Sequence, residues 1–179
     1  TDIDDNNLNF AKKLGLKTLN TKDEELIAKS NDFFSDNIVD GVIIAANSKS
    51  DNLIHYATKA IRKRGKIILL GMAGLNLSRD DFYKKEISFQ VSSSYGPGRY
   101  EKQYEQKNFD YPISFVRWTQ NRNFMAFLNL ISNRKVNIKS LISNEFNIEN
   151  FSDAYDLLNN RQKSKLGVLL KYNNVSNFE

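Results

Sequence analysis

Three observations predict an α/β fold, a parallel sheet with helices layered on it. Two apolar runs, 41–46 and 67–71, are too short for helices and suit strands covered on both faces. Between them Ile54, Ala57 and Ile61, with Leu53 and Ala60 beside them, recur at helical spacing. The rest of the first half alternates helical and strand patterns around this unit, as layered sheets do. A strand–helix–strand unit of this size requires parallel strands and a right-handed crossover.

In chain order, Asp4 or Asp5 can cap a helix carrying Leu8, Ala11 and Leu14, which Gly15 ends. Lys17-Thr18-Leu19 reads as a short strand. Thr21 and Glu24 form a T-x-x-E capping pattern before a helix with Leu26, Ile27 and Phe33 or Phe34. Ser50 or Asp51 can cap the central helix. Lys63, Arg64 and Gly65 close it, with cations at the negative pole and Gly supplying a left-handed turn. A loop over 73–78 leads to a short turn or helix at 79–84. Ile87 to Ser92 alternates with period two, as a third strand or half-exposed edge.

The second half changes character. Tyr95-Gly96-Pro97-Gly98 is the densest turn signal in the chain. Residues 99–110 form a polar, Tyr-rich loop. Thr119 caps a helix with Phe124, Phe127, Leu128 and Ile131 on one face. Residues 141–146 are strand-like, and Asn147 opens a helix with Phe151, Ala154, Tyr155 and Leu158. Residues 167–171 make a final strand, and 173–179 read as a polar tail.

Composition narrows the function. At 179 residues, 40% hydrophobic and 26% charged, the chain is an ordinary globular one of one or two small domains. No stretch approaches the ~20 apolar residues that span a bilayer, and no signal-peptide pattern opens it. The chain has no Cys. That excludes disulfides, thiolate zinc sites and Cys nucleophiles, and favours a reducing, cytoplasmic location. The net charge of +5 lacks the clustered cations and interleaved aromatics of nucleic-acid binders. Its sharpest cluster, Arg62-Lys63-Arg64, is explained by helix capping, so neither nucleic acid nor membrane is expected as a partner.

Ligands of open α/β sheets sit beyond the C-terminal strand ends. Here those ends are Ala46-Asn47, Gly71-Met72 and Ser92 to Gly96, small or Gly-bearing enough for a flat ligand to reach the backbone. Loops in such places are small and polar for structural reasons too. Asp2 can hold a ribose diol if it follows a strand, or cap a helix. His55, the one His, reads as a packing residue, and one His with no Cys argues against a protein-only zinc site. Asp80-Asp81 and Glu101 with Glu105 read as solvated charge. Tyr95, Arg99 and Tyr100 could line a site or pack a loop. Ser92-Ser93-Ser94 has no nucleophile elbow around it.

Several stretches resemble the medium-chain dehydrogenases, the zinc-type alcohol dehydrogenase superfamily. DIDDNNLNFAKKLG (2–15) resembles the segment after the second strand of their Rossmann domain, with Asp2 on the ribose-binding acid. Residues 40–72 resemble the fourth strand, helix and fifth strand. LISNEFNIENFSDAYDLL (141–158) resembles the return to the catalytic domain. DDFYKKEISFQVSSSYGPGRY and DYPISFVRWTQNRNFMAFL look like two-domain bacterial oxidoreductases of that superfamily, associated with surface polysaccharide synthesis.

The resemblance implies an incomplete Rossmann-like parallel sheet over 1–96, a small α+β segment of the catalytic domain over 97–172, and a tail at 173–179. It implies NAD binding by Asp2, Ala46, Asn47, Gly71, Met72 and Ser94, with no catalytic residue or metal ligand in the chain. Asp2 with Asp4, Asp5 and no nearby Arg favours NAD over NADP, since a 2′-phosphate would be repelled. A homodimer through the edge strand near Ile87 to Ser94 is also implied. The family's G-x-G-x-x-G turn is missing from the 179 residues. The chain is therefore expected to be an N-terminal truncation, inactive by itself, whose first 35 residues dock loosely or pair beside the Ile43 strand. Rival readings are a non-catalytic assembly module and a methyltransferase, which also places an acid after its second strand.

Overall fold

Asp4 stands extended ahead of α1 (Asp5–Lys13), and its carboxylate accepts the Asn6 N–H at 2.8 Å. This satisfies one of the donors that a helix start leaves open. Leu8 is the buried residue of α1, and Gly15 follows at φ +83. The computed structural model describes residues 1–22, 39–160 and 166–172. Within them the chain forms two units, Thr1–Gln120 and Asn121–Glu179.

The first unit is built on β1 (Val39–Ile44), α2 (Asn52–Ala60), β2 (Ile61–Leu69), α3 (Arg79–Tyr83) and β3 (Ser88–Val91). The three strands are parallel in the order β1-β2-β3. Val42, Ile67 and Phe89 stand in register, as do Ile44, Leu69 and Val91. With a side-chain period of two, these residues share one face. Ile54 and Ala57 of α2, with Ile61 just after it, pack there on Ile44, Ile67 and Leu69 to form the core. Phe82 of α3 meets Phe89 edge-on, with ring centroids 6.0 Å apart. Full burial of each Ile or Leu stabilises by about 1.5–3 kcal/mol, so this one-sided cluster holds the unit. The α/β class and its parallel sheet are as the sequence predicts.

Three details differ. First, α2 ends at Ala60, and Arg62-Lys63-Arg64-Gly65 lies within β2, where the pairing slips from Val39 opposite Ile61 to Gly41 opposite Lys66. The left-handed residue is Arg64, at φ 60. Gly65 has a different cause: a Cβ there would lie 2.3 Å from the Ile61 Cγ1. The cation at the helix end is Lys85, whose Nζ donates to the carbonyls of Thr58, Lys59 and Ile61. Arg62 instead bonds Asp40 at 2.6 Å, and Arg64 bonds Glu86 at 2.7 Å.

Second, Lys17-Thr18-Leu19 is no strand. It reduces to a parallel bridge of Asp2 with Asn20, in which the Asp2 N–H donates to Leu19 and the Thr21 N–H to Asp2. Without a second ladder neighbour among the described residues, the stretch does not propagate. None of residues 1–22 pairs beside β1, and Ile43 is 68% exposed there. The expected helix over 24–34 lies outside the described residues. Third, Asp51 holds the N-cap position of α2 without a capping bond from its side chain, and the Ser50 hydroxyl accepts the Asn52 N–H at 3.1 Å. Asp51 accepts the Asn76 N–H instead, at 3.0 Å.

The second unit pairs β4 (Ile142–Asn147) in parallel with β5 (Gly167–Lys171), joined through α6 (Phe151–Asn159). Asn147 closes β4 and also stands at the N-cap of a 3-10 turn, Ile148–Asn150, that leads straight into α6. Ala154 is the buried residue of α6. Ahead of them runs α5 (Gln120–Ser132), which buries none of its apolar residues. Thr119 precedes it fully buried with its hydroxyl unpartnered, so it does not cap the helix by hydrogen bond. The expected polar tail lies outside the described residues. No helix among the described residues is long and apolar enough to cross a membrane.

Between β3 and α5, α4 (Lys102–Lys107) ends at Asn108 in the left-handed region and buries Tyr104. The predicted loop over 99–110 thus holds a turn and a half of helix.

Candidate functional site

The C-terminal edge of the β1–β2 pair is closed by backbone alone. The N–H groups of Leu70 and Gly71 both donate to Ile44, at 2.9 and 3.0 Å. Met72 donates to Ala46 at 3.0 Å, and Ser48 to Met72 at 2.9 Å, bridging Asn47 and Met72 in parallel. The chains run so near each other that a Cβ on Gly71 would lie 2.0 Å from the Ala46 carbonyl oxygen. A second close approach follows. The Gly74 N–H donates to Ser50 at 3.1 Å, and a Cβ there would sit 2.1 Å from Asp51 Oδ1.

This brings four of the six predicted residues together. Ala46, Asn47, Gly71 and Met72 form one exposed or half-exposed ledge, with Met72 64% accessible. β3 continues it as far as Ser92, whose N–H donates to Leu69 at 2.9 Å. Ser94 lies past that bond, in the left-handed region at φ 41.

Asp2 is tied to Asn20, not to the three-stranded sheet. Its Oδ1 accepts the N–H groups of Ile3 at 2.7 Å and Asp4 at 2.9 Å, and Oδ2 accepts the Asn7 amide at 3.1 Å. Burial pushes its carboxyl up. The bonds from Asp4, Asn7 and Ile3, with the N-terminal charge, outweigh that and hold it below the ordinary carboxylate value. The group is thus an oriented anion with one oxygen engaged only once. Such an anion can accept from a diol.

Several partners carry no signal in the sequence, some far apart in it and some only five to ten residues apart. His55 Nδ1 is 2.8 Å from Asp81 Oδ2, which joins α2 to α3, and Lys59 approaches the same carboxylate at 4.0 Å. Arg99 bonds Glu105, which also accepts the Tyr100 N–H at 3.2 Å, and the guanidinium lies 4.6 Å over the Tyr100 ring. The Arg99 bond, then the Tyr100 N–H, holds the Glu105 carboxyl below its ordinary value. Tyr111 donates to Glu101, which raises the phenol pKa. Asp81, Glu101 and Glu105 are therefore partnered rather than solvated. These charges are spent inside the 95–111 stretch and between helices. Among the described residues no three His, Asp or Glu side chains are grouped as a metal would need. A 370 Å³ cleft in the second unit is lined by Asn144, Phe146, Asp153, Asp156, Leu157 and Asn160, none of them a predicted site residue.

No protein-family model matches the sequence, and no curated protein matches it. Solved structures do match in fold. A short chain alcohol dehydrogenase of E. coli CFT073, complexed with NADH, superposes with a TM-score of 0.69 at 19% identity, over 95% of this chain and 43% of its own. The apo zinc dependent alcohol dehydrogenase 2 of Streptococcus pneumonia gives 0.68 at 17%, over 98% and 44%. The 2R,3R-butanediol dehydrogenase of Bacillus subtilis gives 0.67 at 14%, over 97% and 44%. The chain has the fold of the corresponding part of zinc-type alcohol dehydrogenases and spans less than half the length of these three.

Proposed function

We propose that this chain is the nucleotide-binding part of an NAD-dependent oxidoreductase of the medium-chain dehydrogenase family, acting on an alcohol or sugar derivative. One observation carries the reading. Gly71 and Ala46 let two parallel strands end in bare backbone at the edge where such sheets bind nucleotides, in a fold shared with an NADH-bound dehydrogenase. Bound NAD would supply the hydride acceptor. The residues' own task is to bind and orient. Asp2 accepts ribose hydroxyls and repels a 2′-phosphate. Ala46 and Asn47 border the second ribose, Gly71 and Met72 face the nicotinamide ring, and Ser94 stands at the rim. We assign no proton transfer and no metal to these residues.

The 179 residues hold no G-x-G-x-x-G turn, the usual cradle of N–H groups for the pyrophosphate. By themselves they should bind NAD weakly and turn nothing over. Calorimetry and saturation-transfer NMR with NADH, NADPH and S-adenosylmethionine test this. Expected are weak NADH contacts, weaker ones for NADPH, further loss in Asp2→Ala, and none for S-adenosylmethionine. Binding of S-adenosylmethionine in place of NADH overturns the reading in favour of a methyltransferase. Micromolar NAD affinity overturns the claim that the chain is inadequate alone. A stable dimer that no nucleotide touches overturns the reading in favour of an assembly module.

A further inference from the structure

The C-terminal end of α2 turns three backbone oxygens toward one point. Lys85 Nζ sits there, 2.8 Å from the carbonyls of Thr58 and Ile61 and 2.9 Å from that of Lys59. A helix end leaves its last carbonyls without internal donors. The Ile61 N–H takes only that of Ala57. The negative pole of the helix falls at the same place. Thr58 is 2% exposed and Ile61 1%, whereas Lys59 is exposed and Lys85 half-buried, so the nest is closed on one side and open to water on the other. Lys85 is also held by its main chain, whose carbonyl accepts the Arg64 N–H at 2.7 Å.

We propose that this three-carbonyl nest is a monovalent-cation site whose resident ion is the Lys85 ammonium, and that it admits a free cation of similar size once that side chain is cut back. The spacing sets the class of ion. Oxygens at 2.8–2.9 Å stand too far off for magnesium, at ~2.0–2.1 Å, or calcium, at ~2.3–2.6 Å. All three are uncharged, so they do not compensate a divalent ion. Carbonyl oxygens do replace the hydration shell of a large, loosely hydrated monovalent ion. The Lys59 ammonium is the neighbouring like charge, and its approach to Asp81 at 4.0 Å draws it aside.

The test is thermal unfolding of the full chain carrying Lys85→Ala in lithium, sodium, potassium, ammonium and methylammonium chloride at equal ionic strength. The variant should melt several degrees below the unsubstituted chain in sodium. It should regain at least half of that loss, saturably, in potassium, ammonium or methylammonium, while the unsubstituted chain is indifferent to the cation. If the variant is unfolded in sodium, far-UV circular dichroism should show it refolding in the larger cations. A variant indifferent to the cation, folded or unfolded, overturns the proposal. Lys85→Met plugs the nest with an apolar chain and should lose stability without recovery. Equal recovery in both variants places the salt effect elsewhere and overturns the proposal too.

Discussion

Gly71 and Ala46 approach so closely that the backbone of one occupies the place of a side chain on the other, a Cβ at 71 falling 2.0 Å from the Ala46 oxygen. That oxygen is fixed by the Met72 N–H, so it cannot retreat without breaking the ledge. Gly71→Ala should therefore cost about 1–3 kcal/mol, the usual range for forced overpacking, read as a fall in the urea midpoint. Gly41→Ala is the control in the neighbouring strand. Its Cβ would meet the Lys66 carbonyl at an ordinary 3.5 Å, so it should be neutral or gain a few tenths of a kcal/mol by restricting the unfolded chain.

Apolar periodicity is legible in this sequence, and polar partners are not, whether near or far along the chain. The runs around Ile43 and Ile68 and the helical spacing of Ile54 and Ala57 point to the parallel sheet, but not to its covering: the runs read as buried on both faces, whereas among the described residues the core lies on one face and Ile43 is 68% exposed. The ledge at Ala46-Asn47 and Gly71-Met72 was legible because glycine at a strand end marks close approach. The Lys85 cap on α2 was not, since 24 to 27 residues separate it from its acceptors and a lysine carries no signal of its target. Glu105 reads as solvated in the sequence although Arg99 and Tyr100 are six and five residues away, because an acid does not declare its partner until the turn between them is formed.

Arg64 and Gly65 exchange the roles that spacing alone suggests. Arg64 holds the left-handed conformation at φ 60, which costs a residue with a Cβ roughly 1–2 kcal/mol. Gly65 is small because Ile61, 1% exposed, presses on it. Arg64→Gly should then be neutral or slightly stabilising despite losing its surface pair with Glu86. Gly65→Ala should destabilise by about 1–3 kcal/mol. A glycine helix cap at 65 would give the opposite order, and chemical denaturation of the two variants decides between them.

Among the described residues no strand pairs with the outer side of β3. The Ser92 N–H donates inward to Leu69, so by the period of two the N–H groups of Phe89 and Val91 point away from β2. If two copies join there, Val91→Pro should block them while leaving the ladder to β2 intact, since proline removes only the outward donor. Sedimentation velocity should show a dimer for the unsubstituted chain and a monomer of unchanged circular dichroism for the variant. A monomer in both cases removes the edge as an interface.

Glu105 gives the 95–111 stretch a definite acid response. Its folded-state pKa is lowered, chiefly by the Arg99 hydrogen bond and then by the Tyr100 N–H. Below the ordinary ~4.3 of a glutamate, the unfolded chain binds the proton first, so stability falls as the pH falls. The contribution is complete above that value and gone once the pH has passed below the folded-state pKa. Glu105→Gln keeps an acceptor for Tyr100 but drops the charge. It should melt slightly lower than the unsubstituted chain from pH 7 to 5, with a constant gap, as an exposed pair contributes little. Below about pH 4.3 the gap should close, because protonation removes from the unsubstituted chain what the substitution already removed. A gap that stays constant down to pH 3 would mean that Arg99 and Glu105 contribute through packing and not through charge.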